Sequence, residues 1–308
     1  MLTIGVDIGG TNIKIGLVHD GKVIGKRTID AMAQQGLQPQ LKPIEQTIRA
    51  LLSEQNAEVS QLSGIGMSIP GIVDSQAKKV LVIHGKFNDV VGLDLAGWAR
   101  STFDLPLVMD NDARCALIGE WQYGAGRGCN HLVMVTLGTG LGTAAVVAGR
   151  VIHGSHHIAG ILGGHFILDR NGLWCNCGNR GCAEAQSSTW NLPEILRYTG
   201  VESASWVSPS TDFRIIFEKA ATGDEMAIKV RNHCMDIWAE AIVNLIYAYD
   251  PEKIIISGGI MRSAETIIPY IKEKISHYGW APFDQYEIVT PTVLEDSPIL
   301  SAEYLIMN

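Results

Sequence analysis

The chain has 308 residues, 46% of them hydrophobic and 18% charged, enough apolar material for two ordinary cores and too much for a disordered chain. A formal net charge of −8 argues against a nucleic-acid surface, which needs a basic stripe. No apolar run approaches the ~18 residues of a membrane span, and no basic and apolar leader precedes the opening strand, so a soluble, cytoplasmic protein without membrane partners is expected.

Leu2 to Val6 reads as a short apolar strand, and Asp7-Ile8-Gly9-Gly10-Thr11-Asn12 as a turn into a second strand, Ile13 to Val18. Asp20-Gly21 then turns the chain into a third, Val23 to Thr28. Adjacent glycines let backbone N–H groups approach a phosphate closely, and the Thr11 hydroxyl can join them. Asp7, at the strand end, is placed to hold a hydrated Mg²⁺ beside such phosphates. The plainer reading of Gly-Gly between strands is a hairpin, and the two stay open.

Leu41, Ile44, Ile48, Leu51 and Leu52 recur at helical spacing and predict an amphipathic helix. The strand Gly64 to Ile69 ends in Pro70-Gly71, a turn exposing backbone where ligands of open α/β sheets bind. A helix over Leu93 to Phe103 and a strand over Leu105 to Met109 lead into Asp110-Asn111-Asp112 and a further helical pattern. One of these polar residues can cap that helix; a carboxylate here can equally take a proton from a hydroxyl nucleophile, with the neighbouring amide orienting it.

His131 to Leu137 repeats the opening logic, since Gly138-Thr139-Gly140-Leu141-Gly142 breaks it before the strand Thr143 to Val147. Two such units suggest an internally duplicated fold closing on one nucleotide. Helices are expected over Thr211 to Ala221, Asp224 to Tyr249, Ala264 to His277 and Pro298 to Ile306, with strands over Lys253 to Ser257 and Tyr286 to Val289. Gly258-Gly259 lets a flat base or sugar lie against the backbone, or is a plain strand-to-helix connection.

Residues 165–184 gather His165, Cys175, Cys177 and Cys182, a thiolate and imidazole set complete for tetrahedral Zn²⁺. A full set leaves no open position for water, so the site reads as structural. A disulfide or free thiols are the alternatives, but Cys175 and Cys177 are too close in sequence to bridge easily. Cys115, Cys129 and Cys234 remain scattered.

Asp7-Ile8-Gly9-Gly10-Thr11, Ser68-Ile69-Pro70-Gly71, Asp110-Asn111-Asp112-Ala113, Thr136-Leu137-Gly138-Thr139-Gly140 and Cys175 to Glu184 together resemble the ROK family of sugar kinases and sugar-sensing repressors. The resemblance covers nearly the whole chain and is most specific in the zinc segment. It implies the sugar kinase/actin-like ATPase fold, an α/β architecture of two domains, 1–111 and 112–297, with ATP and sugar in the cleft between them and a helix over about 298–308 returning to the first. Asp112 would then be the general base for a sugar hydroxyl, usually that at C6, while Asn111, Glu184, His165 and Gly71 would contact the sugar. Gly9, Gly10, Thr11, Gly138, Thr139 and Gly140 would cradle the ATP phosphates, Asp7 would assist Mg²⁺, and Gly258 and Gly259 would lie by the adenosine. A homodimer is implied as well.

The chain departs from the family where Glu-x-Gly-His is usual. Here the run is Ala159-Gly160-Ile161-Leu162-Gly163-Gly164-His165, so Leu162 or Ile161 takes the glutamate's place. A pocket lacking that carboxylate suits an acceptor with an apolar or acylated substituent, an N-acyl hexosamine among them. Asn12 replaces a lysine common after Gly-Gly-Thr, Thr143 replaces a glycine, and His84 to Asn88 is unlike the usual substrate loop. Two other readings are a sugar-binding pseudokinase and a repressor. The repressor would carry a helix-turn-helix extension ahead of the strand that here begins at residue 2, and the acidic charge also speaks against it.

Overall fold

The computed structural model describes residues 1–278 and 286–308. It opens with the expected meander: β1 (Leu2–Ile8), β2 (Asn12–His19) and β3 (Lys22–Asp30), paired antiparallel. There follow α1 (Leu41–Glu54), β4 (Leu62–Ile69), a hairpin of β5 (Ile72–Asp74) and β6 (Lys79–Val82), α2 (Leu95–Phe103), β7 (Leu107–Asn111) and α3 (Asp112–Tyr123). The first sheet has the order β3-β2-β1-β4-β7, with β4 parallel to both β1 and β7. Both β4 and β7 are buried at all but one position, as parallel strands covered on both faces are. The stripe Ile44, Ile48, Leu51 and Leu52 of α1 is buried, in line with its spacing.

The pattern then recurs. The strands β8 (Leu132–Leu137), β9 (Leu141–Val147) and β10 (Arg150–Val151) form a second meander. After the short helices α4 (Ala183–Ser187) and α5 (Leu192–Tyr198) come α6 (Phe213–Ala221), α7 (Glu225–Tyr249), β11 (Lys253–Ser257), α8 (Ala264–Tyr278) and β12 (Glu287–Val289). The second sheet runs β10-β9-β8-β11-β12, with β11 parallel to β8 and β12. Order and strand sense match the first sheet step for step, the duplication that the two glycine turns suggested. Among the described residues no helix is long and apolar enough to cross a membrane.

Two compact units result. One comprises Met1–Gly128, His153–Ala159 and Thr292–Asn308, the other Cys129–Ile152 and Gly160–Pro291. The division thus falls after Gly128 and not between Asn111 and Asp112, because α3 packs against α9 (Ser297–Met307) within the first unit.

Helix α9 lies directly on β1, β4 and α3, and glycines make room for it. A Cβ at Gly5 would stand 2.4 Å from the Ile299 carbonyl oxygen, one at Gly66 2.4 Å from the Ala302 Cβ, and one at Gly119 2.1 Å from the Ser297 carbonyl oxygen. The approach to α9 is held by the buried Glu120 carboxylate, which accepts the backbone N–H groups of Ala125 (2.9 Å), Thr292 (3.0 Å) and Val293 (2.8 Å). Glu303 accepts in turn from the Gly21 N–H (2.7 Å) and the Tyr123 hydroxyl (3.0 Å).

The Gly66→Ala substitution is therefore expected to lower the unfolding free energy by about 1–3 kcal/mol, the usual cost of overpacking. Gly92→Ala, where a Cβ meets nothing within 4 Å, should change it far less. Urea unfolding of the two variants beside the parent chain measures both.

Candidate active site and metal centre

In the first unit, pairing of β1, β4 and β7 sets Asp7, Ser68 and Asp110 in one row at the carboxyl ends of the strands. The Ser68 hydroxyl donates to Asp7 Oδ1 at 2.8 Å. Asp112 follows as the first residue of α3, and the structure decides which neighbour caps that helix. Asn111 does: its Oδ1 accepts from the N–H groups of Ala113 (2.9 Å) and Arg114 (3.3 Å). Its amide nitrogen donates to the Gly71 carbonyl (2.8 Å) and to Asp112 Oδ1 (2.9 Å), so both amide hydrogens are spent inside the protein. Asp112 shares in the cap through Oδ1, which also accepts from the Ala113 N–H at 2.9 Å.

Burial pushes the Asp112 carboxyl above the usual 3.8, opposed by the Lys86 charge and by the hydrogen bonds from Ala113 and Asn111. Burial likewise raises Asp7, against the Ser68 hydrogen bond that favours its ionised form. The Gly9–Thr11 turn closes through the Gly9 N–H to the Asn12 carbonyl (3.0 Å), leaving Gly10 and Thr11 exposed. Gly71 sits at φ 102°, where a Cβ would lie 2.3 Å from the Val82 carbonyl oxygen, so only glycine fits this bend.

Beneath these residues lies a buried network with no clear sequence signal. Asp110 and Arg114 are both fully buried and paired at 3.2 Å, and Asp110 Oδ2 meets His153 Nε2 at 2.7 Å. Arg114 Nη2 donates to the carbonyls of His157 and Ala159, each at 2.9 Å. A guanidinium between a carboxylate and two carbonyls ties residues 153–159 to β7 and α3.

In the second unit, the Gly138–Gly140 turn is braced from behind. Thr189 and Trp190 donate their N–H groups to the Gly138 and Thr139 carbonyls, both at 3.1 Å. Glu184, expected at a sugar hydroxyl, accepts the Leu141 N–H (2.9 Å) and the Trp190 indole N–H (3.2 Å). A cavity of about 400 Å³ is lined by Gly138, Thr139, Gly259, Phe213, Phe217 and Arg262 among others, a size suited to a small-molecule ligand. Gly258 is not part of that lining; at φ 102° it shapes the turn, with the Leu137 carbonyl oxygen 2.1 Å from where its Cβ would stand. Phe213 and Phe217 share one face of α6 by their spacing, which offers the cavity an apolar wall for a flat ring. The aromatic pair was visible in the sequence but carried no function there.

The run in which the glutamate is missing also has a local logic. Thr143 donates its hydroxyl to the Gly160 carbonyl (2.6 Å) and accepts the Gly163 N–H (2.9 Å). A Cβ at Gly164 would stand 2.1 Å from the Leu141 carbonyl oxygen. Thr143 and the doubled glycine are thus one adaptation that sets this loop against β9. Ile161 is buried and Leu162 partly so, and neither offers a polar group.

His165, Cys175, Cys177 and Cys182 converge, with all ligand atoms within 4.8 Å of one another. The Cys177 and Cys182 sulfurs are 3.7 Å apart and Cys175 Sγ is 3.6 Å from His165 Nδ1. Tetrahedral Zn²⁺ with bonds near 2.3 Å separates its sulfurs by about 3.8 Å, whereas a disulfide needs about 2.05 Å. The residues therefore fit a metal and not a bridge. Burial pushes the Cys175 thiol up to about 11 and raises that of Cys182 as well, a penalty on thiolates that a divalent cation reverses. Glycines fold the knuckle: a Cβ at Gly181, at φ 76°, would stand 1.5 Å from the Asp169 carbonyl oxygen.

Cys182→Ser should lower bound zinc from about one equivalent per chain and lower the melting temperature, as metal analysis and thermal denaturation will show. Asp112 gives a second expectation. A carboxyl whose folded pKa is raised costs stability when ionised, fully above the folded value and not at all below the unfolded one near 3.8. Asp112→Asn should thus raise the melting temperature at pH 8, with the gain fading as the pH falls toward about 4.

Comparison with known proteins identifies the family. The ROK family model matches residues 3–308. The chain is 34% identical to a glucokinase of Thermotoga maritima, over 98% of this chain and 96% of that protein. A xylose repressor of Bacillus spizizenii is 23% identical over 80% of this chain and 62% of the repressor. The crystal structure of a ROK family glucokinase from Streptomyces griseus in complex with glucose and AMPPNP superposes with a TM-score of 0.78 at 23% identity, over 100% of both chains. That likeness shows the sugar kinase/actin-like ATPase fold, and with the family match over almost the full length, the chain belongs to the ROK family.

Proposed function

We propose that the chain is an ATP-dependent sugar kinase, transferring the γ-phosphoryl group to a hydroxyl, that at C6, of a hexose or N-acyl hexosamine, with Asp112 as general base. The observation that carries this reading is the division of labour at the start of α3. Asn111 caps the helix and holds Asp112 Oδ1, so the carboxylate is oriented without being consumed by the cap. A carboxyl raised by burial is a better proton acceptor than an ordinary one, as a base for an alcohol should be. Phosphoryl transfer asks little covalent chemistry of the protein, so placement and charge do most of the work.

On the acceptor side the reading assigns Gly71 and Asn111 to positioning, and the Gly9–Thr11 turn with Asp7 to the phosphates and Mg²⁺. Bound Mg²⁺ neutralises phosphate charge, and Asp7 fits it as a carboxylate of which, among the described residues, Oδ1 alone is engaged, by Ser68. On the nucleotide side it assigns Gly138, Thr139 and Gly140 to the phosphates and Gly259, with Phe213 and Phe217, to the adenosine. Zn²⁺ at His165 and the three cysteines would shape residues 165–184 and take no part in the chemistry. The glucokinase relative supports the sugar class, and the apolar Ile161 and Leu162 favour an acceptor that does not depend on a carboxylate there.

A second reading, a sugar-binding ROK protein without turnover, is favoured by that same loss and by the xylose repressor among the relatives. ADP release in Mg²⁺-ATP over a panel of hexoses, ketoses and N-acyl amino sugars separates the two. Turnover that drops about 10²–10⁴-fold in Asp112→Ala is expected for the kinase. Calorimetric sugar binding with no ADP release from the parent protein would favour the second reading instead.

A further inference from the structure

The loop after β6 holds one lysine over the phosphate turn, and three anchors fix where it points. The Gly85 carbonyl accepts from the Gln34 amide (3.0 Å), the Phe87 N–H donates to the Ala33 carbonyl (2.8 Å), and the Asp89 carboxylate accepts the N–H groups of Leu37 (2.7 Å) and Gln38 (2.8 Å). Phe87, buried and at φ 49°, locks the bend next to Lys86. The lysine stem then runs across Gly10. A Cβ on Gly10 would stand 3.3 Å from Lys86 Nζ and 3.5 Å from its Cδ, so the side chain lies close over that glycine.

The ammonium acts on both Asp7 and Asp112, favouring the ionised form of each. Yet among the described residues it forms no ion pair within 4.0 Å and no hydrogen bond, unlike Lys26, whose ammonium pairs with Asp296 at 2.5 Å. The three N–H donors of this ammonium thus lie beside Gly10 of the exposed turn, with their charge felt by two carboxylates. Such a cation, held near acids without contacting them, is arranged to meet an oxyanion between them. Asn12 brings no charge to the turn; Lys14, opposite Asp7 in the β1–β2 pairing, also favours the ionised form of Asp7, while Lys86 is the lysine that lies against Gly10.

We propose that the Lys86 ammonium binds the phosphoryl group during transfer, over the Gly9–Thr11 turn and opposite Asp112, and is thereby a catalytic residue. The inference rests on the kinase reading above. In the step, the acceptor oxygen forms a bond to the γ-phosphorus, the bond from that phosphorus to the ADP oxygen breaks, and the hydroxyl proton passes to Asp112. Lys86 compensates charge on the phosphoryl oxygens throughout and remains protonated. Its positive field also favours the ionised form of Asp112, the form that accepts the proton.

The test uses Lys86→Met, close in shape but neutral, and Lys86→Arg. With the sugar that the parent protein accepts best, Lys86→Met should lower kcat about 10²–10³-fold while changing the sugar KM less than about threefold. Lys86→Arg should recover at least about a tenth of the parent kcat, as the charge is kept. By calorimetry, Mg²⁺-AMPPNP should bind Lys86→Met at least about tenfold more weakly than the parent, with Mg²⁺-ADP unchanged. A kcat within about threefold of the parent would overturn the proposal, and so would a loss confined to the sugar KM, the result expected if the ammonium served an acidic group of the acceptor. Should the parent bind Mg²⁺-AMPPNP without turning over any sugar, the nucleotide comparison alone decides. A parent protein that neither binds Mg²⁺-AMPPNP nor releases ADP sinks the kinase reading and this inference together, whereas an active parent matched by Lys86→Met sinks the inference alone.

Discussion

One side-chain amide governs the chemistry available to this protein. A helix that starts at the end of a buried strand presents unpaired N–H groups, and something must accept them. Asn111 accepts two with its oxygen, and its nitrogen reaches the Gly71 carbonyl and the Asp112 carboxylate. Had Asp112 been the cap, its charge would be spent on the backbone. Because the principal cap is a neutral amide one residue earlier, the carboxylate lies just inside the helix, where the dipole favours negative charge.

The rigidity behind this arrangement comes from packing and from buried charge. Asp110, Arg114 and Glu120 are fully buried, and each finds its partners within the first unit. Removing one member of such a set would strand the others in a dry interior, so these residues hold the backbone of 153–159 and 292–293 in single positions. The glycines under α9 work the same way by geometry, since the helix backbone rests where side chains would otherwise stand.

Much of this was legible beforehand, for identifiable reasons. Strands β1, β4, β7, β8 and β11 announce themselves because burial demands apolar runs, and α1, α6 and α7 because one buried face imposes a spacing. The Cys/His cluster was readable because its four members, three thiols and an imidazole, fall close in sequence. The hairpin β5–β6 and the helices α4 and α5 are too short to show a period, and they pass unseen. Lys86, Arg114 and His153 eluded the sequence for another reason. Lys86 and His153 reach groups brought near only by the fold, Gly10 and Asp110, whereas Arg114 stands four residues from Asp110 and its burial alone is the work of the fold. Glu184 and Gly258 show the reverse, since their motifs were clear while their observed contacts, with Leu141, Trp190 and the Leu137 carbonyl, are those of a scaffold.

The place of α9 in the chain bears on how the molecule is made. It lies far from β1, β2 and β4 in sequence, yet it covers Gly5, Gly16 and Gly66 on those strands. Until α9 has been made, the opening sheet therefore lacks that cover and keeps a glycine-rich face bare. The unit closes only through a contact between segments distant in the chain, the kind of pairing that leaves surface exposed while a protein folds.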